Sequence, residues 1–223
     1  MKVLLLIGSP KPGASASRSF GEAMLGMLAA RAVRTRTARV TPAFNVRDKM
    51  DQLLADIAWA DLVVLSFPVY VDSLPAPVIR LLEAWAGRAA AAGARPGPPV
   101  RLAALAQCGF PEARHCDPAI EICEEFCRET GVAWAGALAF GCGAALEGKP
   151  IERSPLSRAA PALKQAADAL YVGLEIPEES RRAFARQFVP RWVYTLLGGL
   201  GWWRLKRKRG GREPLRLRVQ GKE

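Results

Sequence analysis

Short, predominantly apolar runs alternate along this chain with longer stretches in which apolar residues recur every three to four positions. Val3–Ile7, Asp61–Phe67 after its first residue, Val100–Ala106 and Val132–Phe140 are runs of the first kind. A strand covered on both faces loses its polar alternation and reads as a continuous apolar segment. Val33–Val40 keeps the alternation, with Thr35, Thr37 and Arg39 opposite smaller residues. Between these runs, Phe20, Met24, Met27, Leu28 and Arg31 follow a helical period, with Ser17 the expected N-cap. Met50, Leu53, Leu54 and Ile57 form a second helical face, and Val78, Leu81, Leu82 and Trp85 a third, opened by Pro75 and Pro77. Gly93–Pro99 reads as a loop, and further helices are predicted over Asp117–Glu129 and Pro161–Val172. No internal repeat is evident. Strands alternating one for one with helices predict a parallel sheet covered on both faces, with right-handed crossovers.

In such a sheet, ligands sit beyond the carboxyl ends of the strands, where the strand order switches direction. Strands one, three and four end in the most Gly/Pro-bearing turns, Gly8–Ser17, Pro68–Pro75 and Gln107–Pro111. In the strand order 2-1-3-4-5 these turns are neighbours and form one site. The first runs from a buried strand through a Gly/Ser/Pro turn into a helix. That arrangement presents N–H groups and hydroxyls at the positive end of a helix dipole, as a phosphate requires. Gly8 to Ser15 falls one residue short of a P-loop, because Ala14 stands where a lysine must reach the phosphates. The G-x-G-x-x-G dinucleotide pattern is absent, and no acidic residue follows the second strand to take a ribose hydroxyl. Triphosphate hydrolysis is therefore excluded, and a mononucleotide phosphate held by neutral hydrogen bonds and the helix dipole suits the loop.

Composition refines this picture in three ways. The 223 residues, half of them hydrophobic, support one ordinary domain with an appendage and exclude global disorder. Residues 1–176 carry 19 Lys/Arg and 17 Asp/Glu, whereas residues 177–223 carry 13 and 4, so nearly all of the net charge of +11 belongs to the C-terminal segment. We therefore expect a body over 1–176 and a basic, aromatic, helical extension over 177–223, with no nucleic-acid partner for the protein as a whole. Lys2 precedes only a short apolar run, below the roughly 7–15 residues of a signal-peptide core, and the five cysteines have no disulfide-framework spacing. Both features predict reduced thiols in a cytoplasm. Cys123 and Cys127, four apart on a predicted helix, read as core residues and not as metal ligands. No metal site is expected.

The second turn, Ser66-Phe67-Pro68-Val69-Tyr70-Val71-Asp72-Ser73-Leu74-Pro75, resembles the corresponding loop of the NAD(P)H-dependent FMN reductase and iron–sulfur flavoprotein branch of the flavodoxin-like proteins. Gly8-Ser9-Pro10-Lys11 and Cys108-Gly109-Phe110-Pro111-Glu112 extend the resemblance in the same order, over about residues 1–145. The resemblance implies a flavodoxin-like three-layer α/β sandwich binding FMN. It implies that Ser9, Lys11, Ser15, Ala16 and Ser17 surround the phosphate, with Ser15 and Ser17 both open as its main ligand. It places backbone groups of Pro68, Val69, Tyr70 and Val71 along the ribityl chain and ring, and Gln107, Cys108, Gly109 and Phe110 at the pyrimidine edge. Backbone N–H groups aimed at that edge would stabilise negative charge on a reduced flavin. Pro42–Met50, where iron–sulfur relatives carry a cysteine cluster, contains no cysteine, so electrons are expected from NADH or NADPH.

The implied activity is hydride transfer from a nicotinamide, through bound FMN, to a small acceptor: a quinone, free flavin, nitroaromatic or metal. No catalytic side chain is obligatory, since hydride transfer depends on positioning. His115, the one histidine, is a weak proton-donor candidate beside the third turn. The competing reading is a non-catalytic FMN electron carrier or membrane-associated redox adaptor. A homodimer is implied by the resemblance. Phe188–Arg209 combines an aromatic apolar run, too short to span a bilayer, with the cluster Arg204–Arg209. It is expected to pack on the body or a dimer partner, with peripheral membrane contact as the alternative.

Overall fold

The computed structural model describes residues 1–92, 97–143, 151, 157–187 and 189–208. Part of the expected Gly93–Pro99 loop, together with Phe188 and Arg209, lies outside the described residues. The order of elements is β1 (Lys2–Ile7), α1 (Ala16–Ala29), β2 (Arg34–Arg39), α2 (Arg47–Trp59), β3 (Leu62–Pro68), α3 (Ala76–Ala92), β4 (Arg101–Gln107), α4 (Asp117–Thr130), β5 (Ala133–Phe140), α5 (Ala160–Tyr171), α6 (Glu178–Ala185) and α7 (Arg191–Lys208). The strands form one parallel sheet in the order β2-β1-β3-β4-β5.

Alternation across the pleat explains the apolar runs. Leu4 and Leu6 of β1, Val63, Leu65 and Phe67 of β3, and Leu102, Ala104 and Ala106 of β4 share one core with α2, α3 and α4. Val3, Leu5 and Ile7, with Leu62, Val64, Ala103 and Leu105, face the other core, under α1, α5 and α6. Every position of the central strand β3 is buried, so each had to be apolar or internally hydrogen-bonded. β2 lies at the edge of the sheet and is largely exposed, which accounts for its Thr and Arg content.

The compact body extends from Met1 to Phe188. The boundary expected at residue 176 therefore falls before an element that packs with the body. Phe184 of α6 is buried and meets the rings of Phe20 and Phe140, each with centroids 5.3 Å away. Ser180 donates to Gln165 of α5 at 2.8 Å, and the Ile176 N–H donates to the Ala135 carbonyl at 2.9 Å. Residues 177–188 carry Glu178, Glu179, Arg181, Arg182 and Arg186, a balance of only +1, so the basic excess begins beyond this segment. Residues from Val189 onward form a second unit, whose described part is α7. No helix among the described residues is long and apolar enough to cross a membrane.

Candidate functional site

The first loop begins where β1 ends. The Gly8 N–H donates to the Ser66 carbonyl at 2.8 Å, and a Cβ on Gly8 would lie 2.6 Å from Val78 Cγ2 and 2.9 Å from Phe67 Cβ. Only glycine permits this approach of β1 to β3 and α3. Beyond it, the Ser9 hydroxyl accepts from the Lys11 N–H at 3.4 Å. Thr41 donates its hydroxyl to the Ser9 carbonyl at 3.2 Å, and Arg39 donates to the Lys11 carbonyl at 3.0 Å. The loop is thus clipped to the end of β2.

Ser15, and not Ser17, caps α1. Ser15 is extended (φ −152°, ψ 156°) and its hydroxyl accepts from the Arg18 N–H at 3.2 Å. Ser17 lies in the first turn and is fully buried: its hydroxyl accepts from Gln107 Nε2 at 3.2 Å, and its carbonyl from the Ser66 hydroxyl at 2.7 Å. A run of serines offers several caps of similar strength. Contacts with residues far along the chain select among them.

The second loop is held to the third by the Val69 N–H, which donates to the Gln107 carbonyl at 2.8 Å. Tyr70 and Ser73 then exchange backbone hydrogen bonds of 3.0 and 3.2 Å around a two-residue turn. Val71 (φ 51°) and Asp72 (φ 56°) both adopt the left-handed conformation this turn requires. For a β-branched residue that conformation is strained, at about 1 kcal/mol or more. Val71 is almost wholly exposed, so packing does not compensate for the strain.

The third loop crosses to the end of β5. The Cys108 N–H donates to the Phe140 carbonyl at 3.0 Å, and the Gly143 N–H to the Cys108 carbonyl at 2.9 Å. Cys108 Sγ lies 3.5 Å from both the Phe110 and Glu112 carbonyls. A hydrogen bond between the two thiols holds Cys108 below, and Cys116 above, the ordinary thiol range. His115 stacks against Phe110 with centroids 4.7 Å apart, and its Nε2 lies 3.9 Å from Glu112.

These loops enclose one cavity of about 190 Å³. Ser9, Lys11, Ser15 and Ala16 line it from the first loop, Pro68, Val69 and Tyr70 from the second, and Gln107 and Gly109 from the third. Ser17, Val71, Cys108 and Phe110 adjoin these residues in sequence but do not line the cavity, nor does His115. The residues that hold the loops in place, Arg39, Thr41 and Ser66, carry no recognisable spacing; their role follows only from the juxtaposition of the strand ends. Cys123 and Cys127 are buried on the core face of α4, where burial raises both thiols, Cys127 to about 12. Among the described residues no three His, Cys, Asp or Glu side chains gather as a metal site.

The strand order and the helices on both faces of the sheet are those of a flavodoxin-like α/β fold. Residues 1–102 match the profile of a family described as Flavodoxin-like fold. Among solved structures, an NADH:FMN oxidoreductase in its apo form superposes with a TM-score of 0.57 at 16% identity, over 81% of this chain and 93% of that one. An FMN-dependent NADH-azoreductase from Bacillus anthracis, in complex with FMN, gives 0.56 at 13% identity over 77% and 100%. The Trp repressor binding protein from Bacillus subtilis gives 0.54 at 12% over 73% and 96%. No curated protein sequence matches the chain.

Proposed function

We propose that the chain is an FMN-dependent NAD(P)H oxidoreductase whose flavin occupies the three-loop cavity. The observation that carries this reading is the convergence of three strand-end loops on one cavity at the start of α1. The donor set there suits FMN. The helix N-terminus, the Ser9 and Ser15 hydroxyls and the Lys11 ammonium offer donors or positive charge to a phosphate, and among the described residues no carboxylate lines the cavity. The rest of the lining, Val69, Tyr70, Gln107 and Gly109, is a surface suited to a flat ring with one polar edge.

Bound there, FMN would supply the two-electron chemistry linking a nicotinamide to an acceptor. The chain's own part is to position. Ser15 and the α1 N–H groups fix the phosphate, while the bond from Val69 to Gln107 sets the spacing of the two loops beside the ring. Ser17 is a positioning residue in this reading, since it orients the Gln107 amide. The half-exposed Tyr70 ring flanks the open side, where a nicotinamide (NADH or NADPH) and then a quinone, flavin, nitroaromatic, azo or metal acceptor would approach. Association of two chains would cover Tyr70 and Val71. The five free thiols support a reducing, cytoplasmic setting. The reductase and azoreductase names of the structural neighbours support this chemistry.

The test is anaerobic addition of NADH or NADPH to FMN-loaded protein. Loss of the visible flavin absorbance with either nicotinamide is the expected result. Retained colour with both would refute the enzyme and leave an electron carrier, whereas failure to bind FMN at all would refute the site.

A further inference from the structure

We propose that α7 and the cations at its end dock the protein on an anionic lipid surface. This goes beyond the flavin reading and does not depend on it. Trp192, Leu196, Leu200 and Trp203 follow at the i, i+4, i+8 and i+11 positions of one helix and so share a face. All four are exposed, Trp192 at 71% and Leu196 at 57%; Leu197, Trp202 and Leu205 are exposed on other sides of the helix. Arg207 continues the same stripe, with its guanidinium stacked 3.8 Å over the Trp203 ring. α7 carries five cations, Arg191, Arg204, Lys206, Arg207 and Lys208, and no carboxylate.

A contiguous exposed apolar surface beside a cluster of one charge sign marks an interaction site. Its occupant must satisfy both features. A second copy of the chain supplies apolar surface, but residues 1–176, with 19 basic against 17 acidic residues, offer no acidic excess to meet the cations. A nucleic acid meets the cations but leaves the leucines without a partner. An anionic bilayer meets both: leucines enter the acyl boundary, indoles sit at headgroup depth, and Arg and Lys reach lipid phosphates. At 18 residues α7 is about 27 Å long and would present its Trp192–Trp203 stripe to the acyl boundary.

The test uses the full chain, sedimented with vesicles of phosphatidylcholine alone or mixed with phosphatidylglycerol. Binding to the mixed vesicles, with a blue shift of tryptophan emission, and its loss as salt is raised are expected. Lys206→Glu with Arg207→Glu should weaken binding roughly a hundredfold, and Trp192→Ala with Trp203→Ala about tenfold. Circular dichroism and thermal melts matching the wild type show that the variants fold. No binding of the wild type to mixed vesicles at low salt overturns the proposal, as does equal binding to phosphatidylcholine alone. Self-association that the tryptophan variant abolishes, in the absence of vesicle binding, would assign the face to a second copy instead.

Discussion

Replacing Ser15 by aspartate separates two roles that alanine removes together. In the structure the Ser15 hydroxyl accepts the Arg18 N–H, and Ser15 lines the cavity. Ser15→Ala loses the cap, at about 1 kcal/mol of stability. It also loses a hydrogen bond to a charged phosphate, worth roughly 1.5–3 kcal/mol, so FMN should bind about 10- to 150-fold more weakly. Ser15→Asp keeps an equally good cap and favours the helix dipole. It also sets a carboxylate against the phosphate. At about 4 Å and an effective dielectric near 20 that repulsion approaches 4 kcal/mol, an upper bound of roughly a thousandfold in affinity. Stability of the FMN-free protein should therefore rank wild type and Ser15→Asp together above Ser15→Ala. FMN affinity should rank wild type, then Ser15→Ala, then Ser15→Asp. Urea unfolding without FMN and a flavin fluorescence titration measure the two scales. Wild-type FMN affinity in Ser15→Asp would refute the assignment of this helix start to the phosphate.

Two predictions concern the scaffold. Phe184→Ala removes a ring packed on Phe20 and Phe140 and should cost about 3–5 kcal/mol in chemical unfolding; a loss below about 1 kcal/mol would show that α6 is not part of the core. Val71→Asn places a residue that tolerates positive φ in the exposed turn and should stabilise by roughly 0.5–1 kcal/mol, read as a raised melting temperature; a lowered one would argue that the turn is not strained.

Much of the architecture is legible from the chain alone because burial on both faces leaves a local signature. Val3–Ile7 and Leu62–Leu65 are apolar at consecutive positions since each side chain enters one of two cores. That pattern implies a parallel sheet, and parallel crossovers gather the loops after strands one, three and four at one end. The missing lysine at Ala14 is equally local, and the departure from a P-loop is visible without any structure. Charge was a poorer guide: it drew the body's end at residue 176, whereas a single buried phenylalanine, Phe184, carries the body past α6.

The identity of the capping serine belongs to the tertiary structure. Ser15 and Ser17 are nearly equivalent as residues, and the choice rests on Gln107, ninety positions away, drawing the Ser17 hydroxyl inward. The left-handed Val71 is likewise invisible to propensity, because a valine there is unfavourable by itself and is held by the exchange of bonds between Tyr70 and Ser73. Sequence determined that loops would meet at the carboxyl edge of a doubly covered sheet, since periodicity and strand burial act over a few residues. Only the folded chain decided which residues of those loops line the cavity and which hold the loops together, since that choice rests on partners brought close by the sheet and not by the chain.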